Sequence, residues 1–292
     1  MKFTTVIALF VLLTSAAFAV EVQYLYSFNG GCYGLASTYA GNVFITRWSY
    51  VRVYDRTGSE LRSWPTSMIP WRAEVDNQGY VYICEGPNAQ FWPTNVCKYT
   101  EDGSFLGPLP GAAGTPTDVA SDDGAYLYIV SDYAITKVTT EGSFVMSWGS
   151  KGSGPGQFDF AQCITVGADG NVYVAETDHN HRVQVFTSNG SFITMWGAYG
   201  NGPGLFLTPR DITMDRLGYI HVADNDGIEL FTKEGSWVTL YGEAETGNAE
   251  NIDATPTGYV FVASDTPDID VYFVTDAAVA PASLGRIKAL FR

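Results

Sequence analysis

The sequence predicts an all-β fold: a six-bladed β-propeller of four-stranded antiparallel blades, its ring closed by the N-terminal strand. Three observations predict it. A short strand motif recurs six times, two further columns of residues keep a fixed register with the repeat, and the spacing between copies leaves almost no room for helices. The motif is a turn residue followed by an alternating apolar run: GNVFIT from Gly41, GYVYIC from Gly79, AYLYIV from Ala125, GNVYVA from Gly170, GYIHVA from Gly218 and GYVFVA from Gly258. The copies stand 38 to 48 residues apart, the length of one four-stranded sheet.

Taken in order, the motif supplies the second strand of each blade. The third strand carries Tyr54, Tyr99, Val138, Phe186, Phe231 and Tyr272, each four residues before a turn at Gly58, Gly103, Gly142, Gly190, Gly235 or Asp276. Six residues beyond the first five turns, the fourth strand brings Trp64, Leu109, Trp148, Trp196 and Tyr241, large groups suited to fill the space between neighbouring sheets. The sixth copy lacks a fourth strand, and Val22 to Phe28 matches one in pattern. Closure by that segment leaves no long edge exposed to aggregate. The first, innermost strand starts seven residues before each motif, at Gly34, Arg72, Asp118, Cys163, Asp211 and Asn251. One position earlier the ring reads Tyr33, Trp71, Thr117, Gln162, Arg210 and Glu250.

Composition bounds the partners. Of 292 residues, 31 are Asp or Glu and 16 are Lys or Arg, a formal charge of −15. Such a chain is repelled by nucleic acid and by anionic bilayers, so neither is an expected partner. Apolar residues at 46% and aromatics at 14% supply a large core. Residues 1–19 read as a signal peptide: Lys2, an apolar run from Val6 to Leu13, then Ala17-Phe18-Ala19 before cleavage. The run is shorter than the roughly 20 residues a bilayer needs. The mature propeller is then 20–276, and the protein is expected to be secreted, periplasmic or on the cell surface. Residues 277–292 form an Ala/Pro linker and a short basic tail that reads either as a sorting or docking tag or as a segment lying on the acidic propeller. Export implies an oxidising compartment, and the four cysteines, Cys32, Cys84, Cys97 and Cys163, allow three pairings. Cys84 and Cys97 flank one predicted hairpin loop and are the candidate disulfide.

The connections between blades carry a family resemblance. Ser147 to Phe158 (SWGSKGSGPGQF) and Trp196 to Phe206 (WGAYGNGPGLF) resemble the W-G-x-x-G-x-G-x-G-x-F linker of NHL-repeat proteins, and Gly170 to Phe186 (GNVYVAETDHNHRVQVF) is similar to that repeat's most typical stretch. The match is specific for blades 4 and 5 and in register for the rest. Blade 2 departs with a long loop from Glu85 to Asn95, and blade 1 has Arg47 where the repeat usually carries an acidic residue.

Chemistry is expected where inner-strand starts and second-to-third-strand loops converge, at one mouth of the channel. Symmetry there breaks toward aromatics in blades 1 to 3: Tyr33, Arg47, Trp48, Tyr50, Trp71, Arg72, Phe91, Trp92 and Tyr133 are the candidate ligand-binding residues. Trp, Tyr and Arg dominate binding hot spots, and sugar rings and extended peptides both stack on such groups. The competing reading has Phe91 and Trp92 covering the edge of blade 2. Asp118, Asp211 and Asn251 are candidate oxygen ligands for Ca²⁺ or another divalent cation, as in the lactonase-type propellers this fold resembles. They serve equally as acceptors for backbone amides at the inner-strand start. His179, His181 and His221 come from different depths, which disfavours zinc. No nucleophile elbow is present. Acidic residues ending second strands, Glu85, Glu176 and Asp224, recur with the repeat and read as hairpin caps. The expected function is a non-catalytic module binding a protein, peptide or glycan. The alternative is a divalent-metal-dependent hydrolase of the lactonase kind, with Arg72 orienting the substrate.

Overall fold

Val, Ile, Tyr and Phe fill the motif runs and glycines punctuate them, so each run has the composition of a half-buried strand between tight turns. A computed structural model of the chain describes residues 20–276 apart from 88–92, 113, 132 and 243–247. It begins with β1 (Val20–Asn29). Blade 1 follows as β2 (Gly34–Ser37), β3 (Val43–Arg47), β4 (Tyr50–Tyr54) and β5 (Glu60–Pro65). Blade 2 is β6 (Ile69–Val75), β7 (Tyr80–Gly86), β8 (Asn95–Thr100) and β9 (Phe105–Pro108). Blade 3 is β10 (Asp118–Ser121), β11 (Tyr126–Ser131), β12 (Ala134–Thr139) and β13 (Phe144–Trp148). Blade 4 is β14 (Ala161–Val166), β15 (Val172–Glu176), β16 (Arg182–Phe186) and β17 (Phe192–Trp196). Blade 5 is β18 (Asp211–Met214), β19 (Tyr219–Asp224), β20 (Gly227–Thr232) and β21 (Trp237–Tyr241), and blade 6 is β22 (Ala249–Ala254), β23 (Tyr259–Ser264) and β24 (Asp268–Asp276).

Blades 1 to 5 are antiparallel meanders in sequence order, and the sixth sheet runs β1-β24-β23-β22. The N-terminal strand therefore supplies the missing outer strand, with Val20 opposite Asp276 and Asn29 opposite Asp268. Inner strands β2, β6, β10, β14, β18 and β22 neighbour one another in turn, and β22 meets β2. No helix is present among the described residues.

The core is divided into six apolar clusters, one between each pair of consecutive blades. Trp64, Leu109, Trp148, Trp196 and Tyr241 each lie in one of five clusters, as the fourth-strand column predicts, and Phe28 of β1 occupies the sixth. The buried carboxylates at the ends of second strands tie each blade to the segment that enters it. Glu85 accepts from Met68 N at 3.1 Å, Glu176 from Asp159 N at 2.9 Å, and Asp224 from Leu207 N at 2.7 Å. Repetition of this role in blades 2, 4 and 5 is structural, and it extends beyond the hairpin to the blade-to-blade linker.

The expected disulfide does not form: all four cysteines are free thiols. In the ladder Cys84 pairs with Val96 and Ile83 with Cys97, so the two cysteines are one register step apart and point to opposite faces of the sheet. Cys84 packs between blades 2 and 3 and Cys97 between blades 1 and 2, a geometry no disulfide spans. The expected signal peptide 1–19, the tail 277–292, and Phe91 and Trp92 lie outside the described residues.

Candidate functional site

Every inner strand begins with two residues set against one of its neighbour. In blades 1, 3 and 5 the ladder runs up to Gly34, Asp118 and Asp211, and the residue before each donates its amide to the carbonyl opposite, Tyr33 to Thr46 O at 2.8 Å, Thr117 to Val130 O at 2.9 Å and Arg210 to Ala223 O at 2.9 Å. Blades 2, 4 and 6 each carry a bulge at the same height: Trp71 and Arg72 stand opposite Cys84 alone, Gln162 is inserted between Ala161 and Cys163, and Glu250 between Ala249 and Asn251. A bulge re-aims the side chain it inserts. Here Trp71, Gln162 and Glu250 all line one basin of about 510 Å³ at the channel mouth, within the size range of small-ligand pockets. Tyr33, Thr117 and Arg210, the corresponding positions of blades 1, 3 and 5, line it too.

At the floor of the basin, which it lines, Arg72 closes the channel. Its guanidinium crosses from blade 2 to blades 5 and 6, donating to Asp211 Oδ2 at 2.9 Å, to Arg210 O at 2.6 Å and to Asn251 Oδ1. Gly34 lets blade 2 approach, because a Cβ there would fall 2.0 Å from Trp71 O. Asp118 accepts from Val119 N at 2.9 Å and Ile164 N at 3.0 Å, and Asp211 from Ile212 N and Ile252 N, both at 2.9 Å. Each carboxylate thus pins its own inner strand to the next one. Beneath them the channel shrinks to about 30 Å³, walled in part by Glu74, Thr165 and Asp253.

Burial sets the protonation of this cluster. Desolvation, and then the charge of Asp211, push Asp118 up to about 7. Asp211 is also raised by burial, against the pull of Arg72. Burial lifts Asp253 to about 6 and Glu74 well above the ordinary carboxylate range. Burial opposes the Arg72 charge, yet Asp211 and Asp118 more than offset it and hold the guanidinium charged.

The three candidate metal ligands are therefore committed elsewhere, Asp211 and Asn251 to Arg72 and Asp118 to two amides. Among the described residues, no group of three or more His, Cys, Asp or Glu is placed to hold a metal ion. The histidines are separate: His221 is buried between Asp215 and Tyr241, His181 packs edge-on to Tyr199, and His179 is exposed beside Asp159.

The predicted aromatic face is only partly assembled. Tyr33 stacks on Trp71 with ring centres 6.2 Å apart, and Trp48 meets Tyr33 edge-on at 5.9 Å. Trp48 is 54% exposed and has φ 56°, in a two-residue turn where Asn or Gly is the comfortable residue. Arg47 and Tyr50 do not reach the basin. They pair across the β3–β4 turn and line a separate small crevice with Asn29 and Gly30. Tyr133 is half-buried, with the Lys151 ammonium 5.1 Å from its ring centre. The blade 4 wall was missing from the sequence reading: Phe160, Thr177 and Asp178 line the basin alongside Gln162. An available signal was Phe160, an aromatic two residues before the blade 4 inner-strand position Gln162, where blade 5 carries Thr208.

A family described as a 6-bladed beta-propeller, DUF5128, matches residues 163–232, from within β14 to the end of β20. The chain is a six-bladed β-propeller. Solved structures agree over most of this propeller's length. A protein of unknown function from Bacteroides thetaiotaomicron superposes with a TM-score of 0.64 at 16% identity, covering 85% of this chain and 70% of that one. A gluconolactonase from Xanthomonas campestris gives 0.63 at 14%, covering 88% and 90%. A streptogramin B lyase gives 0.60 at 15%, covering 88% and 98%. At these identities the likeness carries the fold alone. No curated protein matches the propeller.

Proposed function

We propose that the chain is an exported NHL-type propeller that acts as a non-catalytic recognition module, binding its ligand in the basin at the channel mouth. One observation carries this reading: the backbone is distorted at this mouth in the service of side-chain presentation. The doubled inner-strand starts set Tyr33, Trp71, Thr117, Gln162, Arg210 and Glu250 around one basin, Phe160 lines it with φ 64°, and Trp48, with φ 56°, meets Tyr33 edge-on. Left-handed backbone at a bulky residue costs on the order of 1–3 kcal/mol and concentrates at functional sites.

The hydrolase reading draws support from the fold shared with a gluconolactonase and from Arg72 lining the basin, but its ligands Asp211 and Asn251 already hold the Arg72 guanidinium. The test is to probe the mature protein on peptide and glycan arrays beside Trp71→Ala. Ligands retained by the parent and lost by a folded Trp71→Ala support the reading. Turnover of a lactone or ester panel that depends on added Ca²⁺ or Mg²⁺ overturns it.

A further inference from the structure

Resting on the recognition reading above, we infer that the blade 4 wall of the basin is a subsite for a neutral, polyhydroxylated ring: one sugar residue of a glycan. The wall consists of Phe160, Gln162, Thr177 and Asp178. Its distinguishing group is Thr177. This residue is only 5% exposed, and its Oγ1 is fully buried from solvent with no hydrogen-bond partner. A buried hydroxyl left unmade costs about 1–3 kcal/mol, so the wall is incomplete as it stands. The other threonines lining the basin are satisfied: Thr117 Oγ1 donates to Ala161 O at 3.1 Å, and Thr208 Oγ1 accepts from Asn225 Nδ2 at 3.3 Å.

The groups around Thr177 match a sugar in kind. Phe160 holds φ 64° beside it and Asp178 holds φ 57°, so both flanks of the wall adopt left-handed backbone. Phe160, half-buried, lines the wall with an aromatic side chain, the kind of group on which a sugar's C–H face stacks. Gln162, turned out by its bulge, brings an amide that both donates and accepts, and Thr177 a hydroxyl that does the same. Asp178, at the exposed rim, accepts only and disfavours an anion. Paired donors and acceptors suit hydroxyls better than an ammonium or guanidinium, which donates only and would leave the Gln162 amide hydrogens without an acceptor.

Saturation-transfer NMR on the mature protein with glucose, galactose, mannose, xylose and N-acetylglucosamine, and in parallel lysine amide and arginine amide, tests the inference. At least one sugar should receive saturation. Thr177→Val, which keeps the shape and removes the hydroxyl, should weaken that sugar about tenfold, the worth of one buried hydrogen bond. Phe160→Gly, in which glycine adopts φ 64° without strain, should abolish the transfer in a protein that circular dichroism shows to be folded. Sugar signals unchanged in both variants, signals from the cationic amides alone, or no sugar signal at all each overturn the inference. Array ligands lost in Trp71→Ala but kept in Phe160→Gly would leave the recognition basin standing and remove the sugar subsite alone.

Discussion

Trp148, at the end of β13, packs against Gly190, the turn glycine of the following blade: a Cβ built on Gly190 would lie 2.7 Å from Cδ2 of the indole. The same seat recurs for Trp64 on Gly103 at 2.4 Å and for Trp196 on Gly235 at 2.5 Å. At ring closure Phe28 of β1 takes it, 2.5 Å from a Cβ on Gly58. Two columns that look independent in sequence, the turn glycine and the large fourth-strand residue, are thus the two halves of one contact between neighbouring blades.

Gly190→Ala should therefore meet two penalties, a positive φ of 75° and a collision with an indole that fills its own gap. Together they are expected to cost about 2–4 kcal/mol, or a Tm fall on the order of 5–12 °C for a chain of this size. Gly170→Ala supplies the control, with φ 78° and open space around the added methyl. It should cost about 1–2 kcal/mol. Equal losses in the two variants, read by urea titration, would show that the turn glycines answer to backbone conformation alone.

How far the sequence reaches follows from what repeats. Strand order, closure by Val22 to Phe28 and the ring of inner-strand starts were legible because every blade restates them at a fixed offset. The doubled residue at the start of each inner strand was not, since a fixed offset to the motif is kept whether or not one residue stands outside the pairing; only the ladder and its hydrogen bonds show it. The directions of Cys84 and Cys97 depend on pairing parity across a long loop, which neither flank fixes. The Arg72 plug joins residues 139 and 179 positions apart, and no local pattern encodes such a reach. Trp48 was legible as an exposed aromatic, whereas Arg47 and Tyr50, its neighbours in chain, turn to another crevice because they pair with each other across the hairpin.

The thiols should behave as four separate groups, Cys84, Cys97 and Cys163 buried and Cys32 half-buried. Burial pushes Cys32 and Cys97 up to about 12 and raises Cys84 and Cys163 well above the ordinary thiol value, so almost no thiolate exists at neutral pH. Iodoacetamide should leave the native protein unlabelled and add four carbamidomethyl groups in guanidinium without reductant. Fewer than four, with Cys84 and Cys97 protected together, would restore the disulfide.

Stability should rise as pH is lowered from 8 toward 5, the reverse of a protein held by exposed ion pairs. The sign follows from linkage. A carboxyl whose folded pKa lies above its unfolded value binds its proton more tightly when folded, so protonation favours the native state. Asp118 at about 7, Asp253 at about 6 and Glu229 at about 7, raised mainly by burial, and Glu74, raised well above its ordinary value, all act in this direction. The gain should accrue between about pH 7 and pH 4, where the unfolded carboxyls also begin to protonate. Thermal scans at half-unit steps would show it. Asp253→Asn, whose amide can still meet Ser37 and Ala254, should flatten the slope below pH 6. A Tm that falls steadily from pH 8 to pH 5 contradicts the assignment.

Arg72 is the residue on which the channel's charge balance turns. Its side chain is 11% exposed and that of Asp211 9%, so solvent screens the pair weakly. Arg72→Met would leave Asp211 and Asp118 facing one another without a counter-charge, at an expected cost of about 3–5 kcal/mol. Adding Asp211→Asn to that variant removes the orphaned charge and should recover part of the loss, which a double-mutant cycle in urea measures directly. The same balance predicts the response to metal. With Asp211 and Asn251 engaged by the guanidinium, EDTA and millimolar Ca²⁺ should leave the parent's Tm unchanged. Occupancy at 100 times a dissociation constant would add about 2.7 kcal/mol, well within the resolution of a scan. A shift of that size in the parent would mean that a cation enters despite Arg72, and would return the hydrolase reading to first place. A shift confined to Arg72→Met would show instead that the arginine occupies, with its own charge, the position a divalent ion would otherwise take.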